Sequence, residues 1–128
     1  MLMLLIRTDK PEAELYLFDG NLKLSEVKWQ AHRELGQTIH LNIEKLLSGC
    51  GKKLNDLEKI GVYEGPGSFT GLRIGVSVAN ALAYGLNLPV VSATGANWIE
   101  DCLTADTAGF VPVSIVYGSE PNITQQKK

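Results

Sequence analysis

From Gly65 to Leu86 the chain reads GPGSFTGLRIGVSVANALAYGL, and Arg73 is the one charge in it. Taken as a turn feeding a helix from about Ser68 to Leu86, the segment has apolar or small residues almost all round its cylinder. Such a helix must be covered on more than one side, because a surface helix buries a single stripe. Gly71, Gly75, Ala79 and Ala83 fall at successive four-residue steps and form a row with almost no bulk, while Leu72, Val76, Leu82 and Leu86 supply bulk elsewhere. A helix-interior glycine costs about 1 kcal/mol relative to alanine. Two of them in one row imply a compensating close approach. The expectation is that one side of this helix packs on a sheet and the row meets a second protein. Tight packing against the preceding helix of the same chain is the competing reading.

The glycines before the helix do not make a phosphate loop. A P-loop needs G-x-x-x-x-G-K-[ST], whereas Gly65 and Gly71 enclose five residues and Leu72 stands where the lysine belongs. The dinucleotide pattern G-x-G-x-x-G fails as well, because Thr70 occupies the place of its last glycine. What remains is a strand end, a Gly65-Pro66-Gly67 turn, and Ser68 or Thr70 as the first helix cap, in a motif that also holds Phe69 and Arg73.

Elsewhere the periodicity changes along the chain. "LMLLI" fits a buried strand, and "TDKPE" fits a turn. "AELYLFD" alternates, with Leu15 and Leu17 on one face and Tyr16 and Phe18 on the other, and "DGN" is a hairpin signal. "LKLSEVKW" alternates too, with Leu22, Leu24 and Glu26 opposite Lys23, Ser25 and Val27. These make an antiparallel meander. Leu35, Ile39, Ile43, Leu46 and Leu47 then recur at helical spacing until the glycines at 49 and 51. A helical turn at "LNDLEK", a strand at "IGVYEG", the long helix, a strand at "LPVVSA" and a short helix at "ANWIEDCLT" capped by Asn97 complete the order. Strands and helices in this order predict an α/β domain with a mixed sheet.

At 128 residues, 45% of them apolar, one domain with a real core is expected. A net charge of −2 excludes tight nucleic-acid binding by this chain alone, so any RNA is met through a partner. The charge-free run from Ile74 to Ile99 is broken by Gly75, Ser77, Asn80, Gly85, Asn87 and Pro89, so no membrane span is expected. The amino terminus lacks a basic region and a cleavage site, and Cys50 and Cys102 form no metal or redox spacing; a cytoplasmic protein is expected. His32 and His40 stand eight apart without a nearby ligand set, so no metal, cofactor or catalytic residue is assigned.

"GPGSFTGLRIG" followed by "ANALAYGLNLPVVSATG" closely resembles the signature of the TsaB (YeaZ) family, with the likeness reaching over roughly residues 35–103. The resemblance implies a ribonuclease-H-like domain of the actin-like superfamily over residues 1–108, and a carboxyl-terminal tail over 109–128. It implies that a second domain is missing internally, with "TADTAGF" as the joint. It further implies a non-catalytic subunit of the machinery for tRNA threonylcarbamoyladenosine, in which a threonylcarbamoyl group passes from its adenylate to N6 of the adenosine beside the anticodon. The partners so implied are a TsaD-like catalytic subunit, a TsaE-like ATPase, a second copy when alone, and tRNA only indirectly. The expected contact surface is built from the two long helices: Leu35, Ile39, Ile43, Gly71, Leu72, Gly75, Val76, Ala79 and Ala83, with Arg73 pairing across it or holding an anion. Gly75→Leu is then expected to abolish pairing while leaving the fold intact. At the first strand end, Arg7 stands where the family keeps a carboxylate, which argues against a metal-nucleotide site there.

Overall fold

The computed structural model describes residues 1–106 and 112–113, the His32 side chain excepted. Strand β1 (Leu2–Arg7) is apolar without alternation because it lies at the centre of a sheet covered on both faces. Around it are β2 (Glu12–Asp19), β3 (Leu22–Gln30), β4 (Lys59–Tyr63) and β5 (Val90–Ala93), in the spatial order β3-β2-β1-β4-β5. The three amino-terminal strands pair antiparallel, while β1–β4 and β4–β5 pair parallel. Helix α1 (Leu35–Gly49) links the meander to β4, and α2 (Phe69–Leu86) is the crossover from β4 to β5. Helix α3 (Trp98–Thr104) follows β5. The mixed α/β order expected from the sequence is therefore the order observed.

Alternate residues of the strands divide into two cores. Leu2, Leu4, Ile6, Leu15 and Leu17 meet Leu35, Ile39, Ile43, Val76, Ala79 and Ala83 of α1 and α2. Met3, Leu5, Tyr16 and Phe18 point the other way, where Trp98 and Cys102 of α3 close the second core. The hairpin at Asp19–Asn21 turns through Gly20, at φ 61°. At the end of α1, Gly51 at φ 70° lets the chain reverse while the Cys50 amide still donates to the Leu47 carbonyl.

Several sequence expectations need correction. A bulge opposite Leu17 and Phe18 inserts one residue into β3, so Leu24 and Val27 pack against the same core rather than on opposite faces. The turn at "LNDLEK" is a single 3-10 turn, Leu54–Asp56. Ser68 and Asn97 occupy the capping positions of α2 and α3, yet neither side chain makes a capping hydrogen bond. The expected joint over residues 104–110 and the expected tail lie largely outside the described residues. No helix among the described residues is long and apolar enough to cross a membrane.

Candidate functional site

Parallel pairing of β1 with β4 puts the end of β1 beside the start of α2, and the Gly-Pro-Gly turn is the hinge between them. Gly65 has φ 115°, the Gly65–Pro66 peptide is cis, and the Tyr63 hydroxyl donates to the Pro66 carbonyl at 3.0 Å. The Ser68 amide donates to the Asp9 carbonyl at 3.1 Å. From there three glycines, one helical turn apart, rest on the strand end. A Cβ on Gly67 would lie 2.5 Å from that of Asp9, one on Gly71 would lie 2.1 Å from the Thr8 carbonyl oxygen, and one on Gly75 would lie 2.1 Å from Thr8 Oγ1. Thr8 is buried, and its hydroxyl donates back to the Gly71 carbonyl at 2.7 Å.

The glycines of the bulk-free row are thus sealed by the end of the chain's own first strand, and Ala79 and Ala83 lie in the core shared with α1, so the row is closed within the chain. Leu35, Ile39, Ile43, Leu72, Gly75, Val76, Ala79 and Ala83 are all buried within the chain, and Gly71 is half-buried. These positions, expected to form the docking surface, face inward because the same small residues that invite a neighbour are already used to bring α2 against β1 and β4.

Charges at the strand end satisfy each other. Arg7 Nε and Nη2 donate to the two Asp9 carboxylate oxygens at 2.7 and 3.2 Å, and the guanidinium stacks 4.0 Å from the Tyr63 ring centroid. The hydrogen bond to Asp9 holds Arg7 still more firmly in its charged form. Tyr63 and Tyr16 both meet Trp98 edge-on, at 5.9 and 6.1 Å between centroids. Burial, then the hydrogen bond to Glu14, pushes the Tyr16 phenol well above its ordinary range. The strand end thus carries a closed ion pair. Among the described residues, no three His, Cys, Asp or Glu side chains converge to hold a metal, and His40 is exposed on α1.

The outward side of α2 is a different surface from the glycine row. Phe69 is 50% exposed and Tyr84 75%, with Thr70, Arg73, Ser77 and Ala81 exposed between them. Arg73 lies 5.3 Å over the Phe69 ring, a cation–π contact that leaves its charge facing outward. Thr70, Arg73, Ile74, Ser77 and Val78 line an open groove of about 400 Å³ on this side. Sequence reasoning placed Phe69 and Thr70 in the turn motif and had Arg73 pairing across a contact or holding an anion, but missed Ser77 and Tyr84, because a helix apolar all round offers no contrast by which to pick its outer face.

Comparison with known proteins agrees with this architecture. The solved structure of YeaZ from Pseudomonas aeruginosa superposes with a TM-score of 0.67 at 27% identity, over 73% of this chain and 43% of that one. The ribonuclease-H-like sheet order expected from the sequence is the one shared with it. A tRNA N6-adenosine threonylcarbamoyltransferase of Chromobacterium violaceum is 54% identical over 48 residues, 38% of this chain and 14% of that protein. The tRNA threonylcarbamoyladenosine biosynthesis protein TsaB of Haemophilus influenzae is 40% identical over 63 residues, 45% of this chain and 27% of that protein. That of Escherichia coli is 39% identical over 62 residues, with 48% and 27% covered. The matches therefore span less than a third of these curated relatives. Residues 28–99, more than half of the chain, match the family described as TsaD, tRNA N6-adenosine threonylcarbamoyltransferase. The chain belongs to that family and also resembles TsaB of Haemophilus influenzae in sequence and YeaZ of Pseudomonas aeruginosa in fold.

Proposed function

We propose that this chain is a non-catalytic subunit in tRNA threonylcarbamoyladenosine formation, and that it docks on a TsaD-like catalytic subunit through the outward side of α2. The relatives named as biosynthesis proteins for that nucleoside support the pathway. The observation that carries the docking reading is the exposed Phe69–Tyr84 face: two large aromatic rings and a groove on a helix whose opposite side is fully used by the core. Aromatic and arginine side chains dominate binding energy at protein interfaces, and both are present here. The closed Arg7–Asp9 pair supports the non-catalytic part of the reading, since it fills the strand end with mutually satisfied charges. A TsaE-like ATPase would join through the catalytic subunit, and tRNA would be held there rather than by this acidic chain.

Co-expression with the TsaD-like subunit of the same genome tests the proposal. Phe69→Glu combined with Tyr84→Glu places charge on the exposed face, and co-purification is expected to be lost while the isolated chain remains folded by circular dichroism. Retained pairing at wild-type yield would remove α2 as the docking element.

Self-association is the second reading, favoured by one feature. Ser77 lies midway between Phe69 and Tyr84, so two copies crossing antiparallel there would set each Phe69 near the other copy's Tyr84, an isologous contact. Sedimentation across a concentration series, with and without the catalytic subunit, separates a storage dimer from the working complex.

A further inference from the structure

Asn80 is half-buried on the flank of α2, about two turns beyond Arg73 and about one turn before Tyr84. Its carboxamide grips both backbone groups of a residue distant in sequence. Asn80 Nδ2 donates to the Val113 carbonyl at 3.1 Å, and the Val113 amide donates to Asn80 Oδ1 at 2.9 Å. A side chain here plays the part that a neighbouring strand plays in a β-bridge, offering one donor and one acceptor side by side. The Val113 side chain packs against the first core, the one that also holds the inner face of α2, while Pro112 stays exposed. Because the grip is on backbone alone, it demands a residue with an N–H at the clamped position, and a proline is tolerated only beside it.

We propose that Asn80 is a clamp for an extended backbone, occupied in this chain by Pro112–Val113, and that the clamped segment competes with the protein partner for the flank of α2. The competition rests on the docking reading given above. At 3.6 residues per turn, Arg73, Asn80 and Tyr84 fall within about 40° of one another around the helix. A backbone fastened at Asn80 therefore takes up space that a partner approaching Arg73 and Tyr84 would need. The fastening is also of the right strength to be exchanged. Two neutral, part-buried hydrogen bonds and one half-buried valine hold a strap on a lone chain, and a partner contact of ordinary size outweighs them.

Asn80→Leu in the full chain keeps the branched shape and the number of heavy atoms of the side chain and removes both hydrogen bonds. Two readouts decide the matter: amide exchange at Val113, and the affinity of the chain for the TsaD-like subunit. The proposal expects Val113 to exchange about tenfold faster or more in the variant, and the variant to bind the subunit several-fold tighter than wild type. Unchanged exchange at Val113 overturns the clamp. Faster exchange with unchanged or weaker binding overturns the competition and leaves the strap a piece of core packing. If neither protein binds the subunit, the docking reading fails and the competition falls with it, while the exchange rate still decides the clamp.

Discussion

Replacing Gly75 by alanine tests the central packing relationship, because three effects of known sign meet at one atom. The new methyl would sit 2.1 Å from Thr8 Oγ1, 3.2 Å from Thr8 Cβ and 3.3 Å from Thr8 Cγ2. Thr8 is 1% exposed and branched at Cβ, so it has no free rotamer to yield into; either its hydroxyl turns away or α2 lifts off the sheet. Overpacking of this kind costs about 1–3 kcal/mol. Turning the hydroxyl breaks its 2.7 Å bond to the Gly71 carbonyl and strands a buried polar group, a further ~1–3 kcal/mol. The gain in helix propensity returns about 1 kcal/mol. A net loss of about 1–5 kcal/mol is expected, read in urea denaturation as a lower midpoint at unchanged slope. Gly85→Ala is the internal control, since nothing lies within 4 Å of its would-be Cβ and only the propensity gain remains. Adding Thr8→Ala to Gly75→Ala removes Oγ1 and Cγ2 together and is expected to recover part of the loss, a favourable coupling between residues in contact. A neutral or stabilising Gly75→Ala would refute the reasoning, because it would mean that the glycine row does not touch β1. The same geometry corrects the expectation that Gly75→Leu leaves the fold intact: a larger side chain at this position drives α2 off its strand.

Two further outcomes follow from the electrostatics. Burial pushes the Cys102 thiol up to about 12, so the folded state keeps it neutral while the unfolded chain ionises near 8.5; above that pH the unfolded state binds fewer protons, and stability is expected to fall by about 1.4 kcal/mol per pH unit between pH 9 and 10. Cys102→Ala should flatten this slope in urea titrations at successive pH values, and an equal slope in both proteins would exclude the thiol as its source. Arg7→Met leaves the Asp9 carboxylate without its bidentate partner at a strand end where its side chain is 8% exposed, and a loss of about 2 kcal/mol or more is expected. Denaturation midpoints that barely move would show that water replaces the guanidinium there.

Periodicity made the elements legible, because it reports which residues face an interior. Leu35, Ile39 and Ile43 announce α1, and the division of Leu15 and Leu17 from Tyr16 and Phe18 announces a sheet with two cores. Periodicity does not say what supplies the interior. The row Gly71, Gly75, Ala79 requires close approach, but a second protein and the end of β1 satisfy it equally well, and the choice is made by the parallel pairing of β1 with β4 between segments far apart in the sequence. The bulge in β3 was hidden for a similar reason, since one inserted residue leaves the local alternation of LKLSEVKW looking regular. Arg7 in place of a carboxylate was visible as a departure, whereas its pairing with Asp9 depends on how the chain turns after Thr8. The Asn80–Val113 contact has no sequence signature, as an asparagine in a helix and a distant valine are each unremarkable alone.

The glycine motif and the proposed docking face are opposite sides of one helix, and this separates two classes of variant that a sequence alignment would merge. A side chain added at Gly67, Gly71 or Gly75 acts on the fold, because the first obstacle it meets is Asp9 or Thr8. Any loss of partner binding it causes must come with a loss of stability. A charge placed at exposed Ser77 meets solvent in the isolated chain, so it can weaken binding at constant stability. Plotting co-purification yield against melting temperature should therefore resolve two lines, one sloped for the glycines and one vertical for the outer face. Should the glycine variants fall on the vertical line instead, binding lost at full stability, then α2 presents its small-residue row to a partner after all, and the assignment of that row to β1 would have to be abandoned.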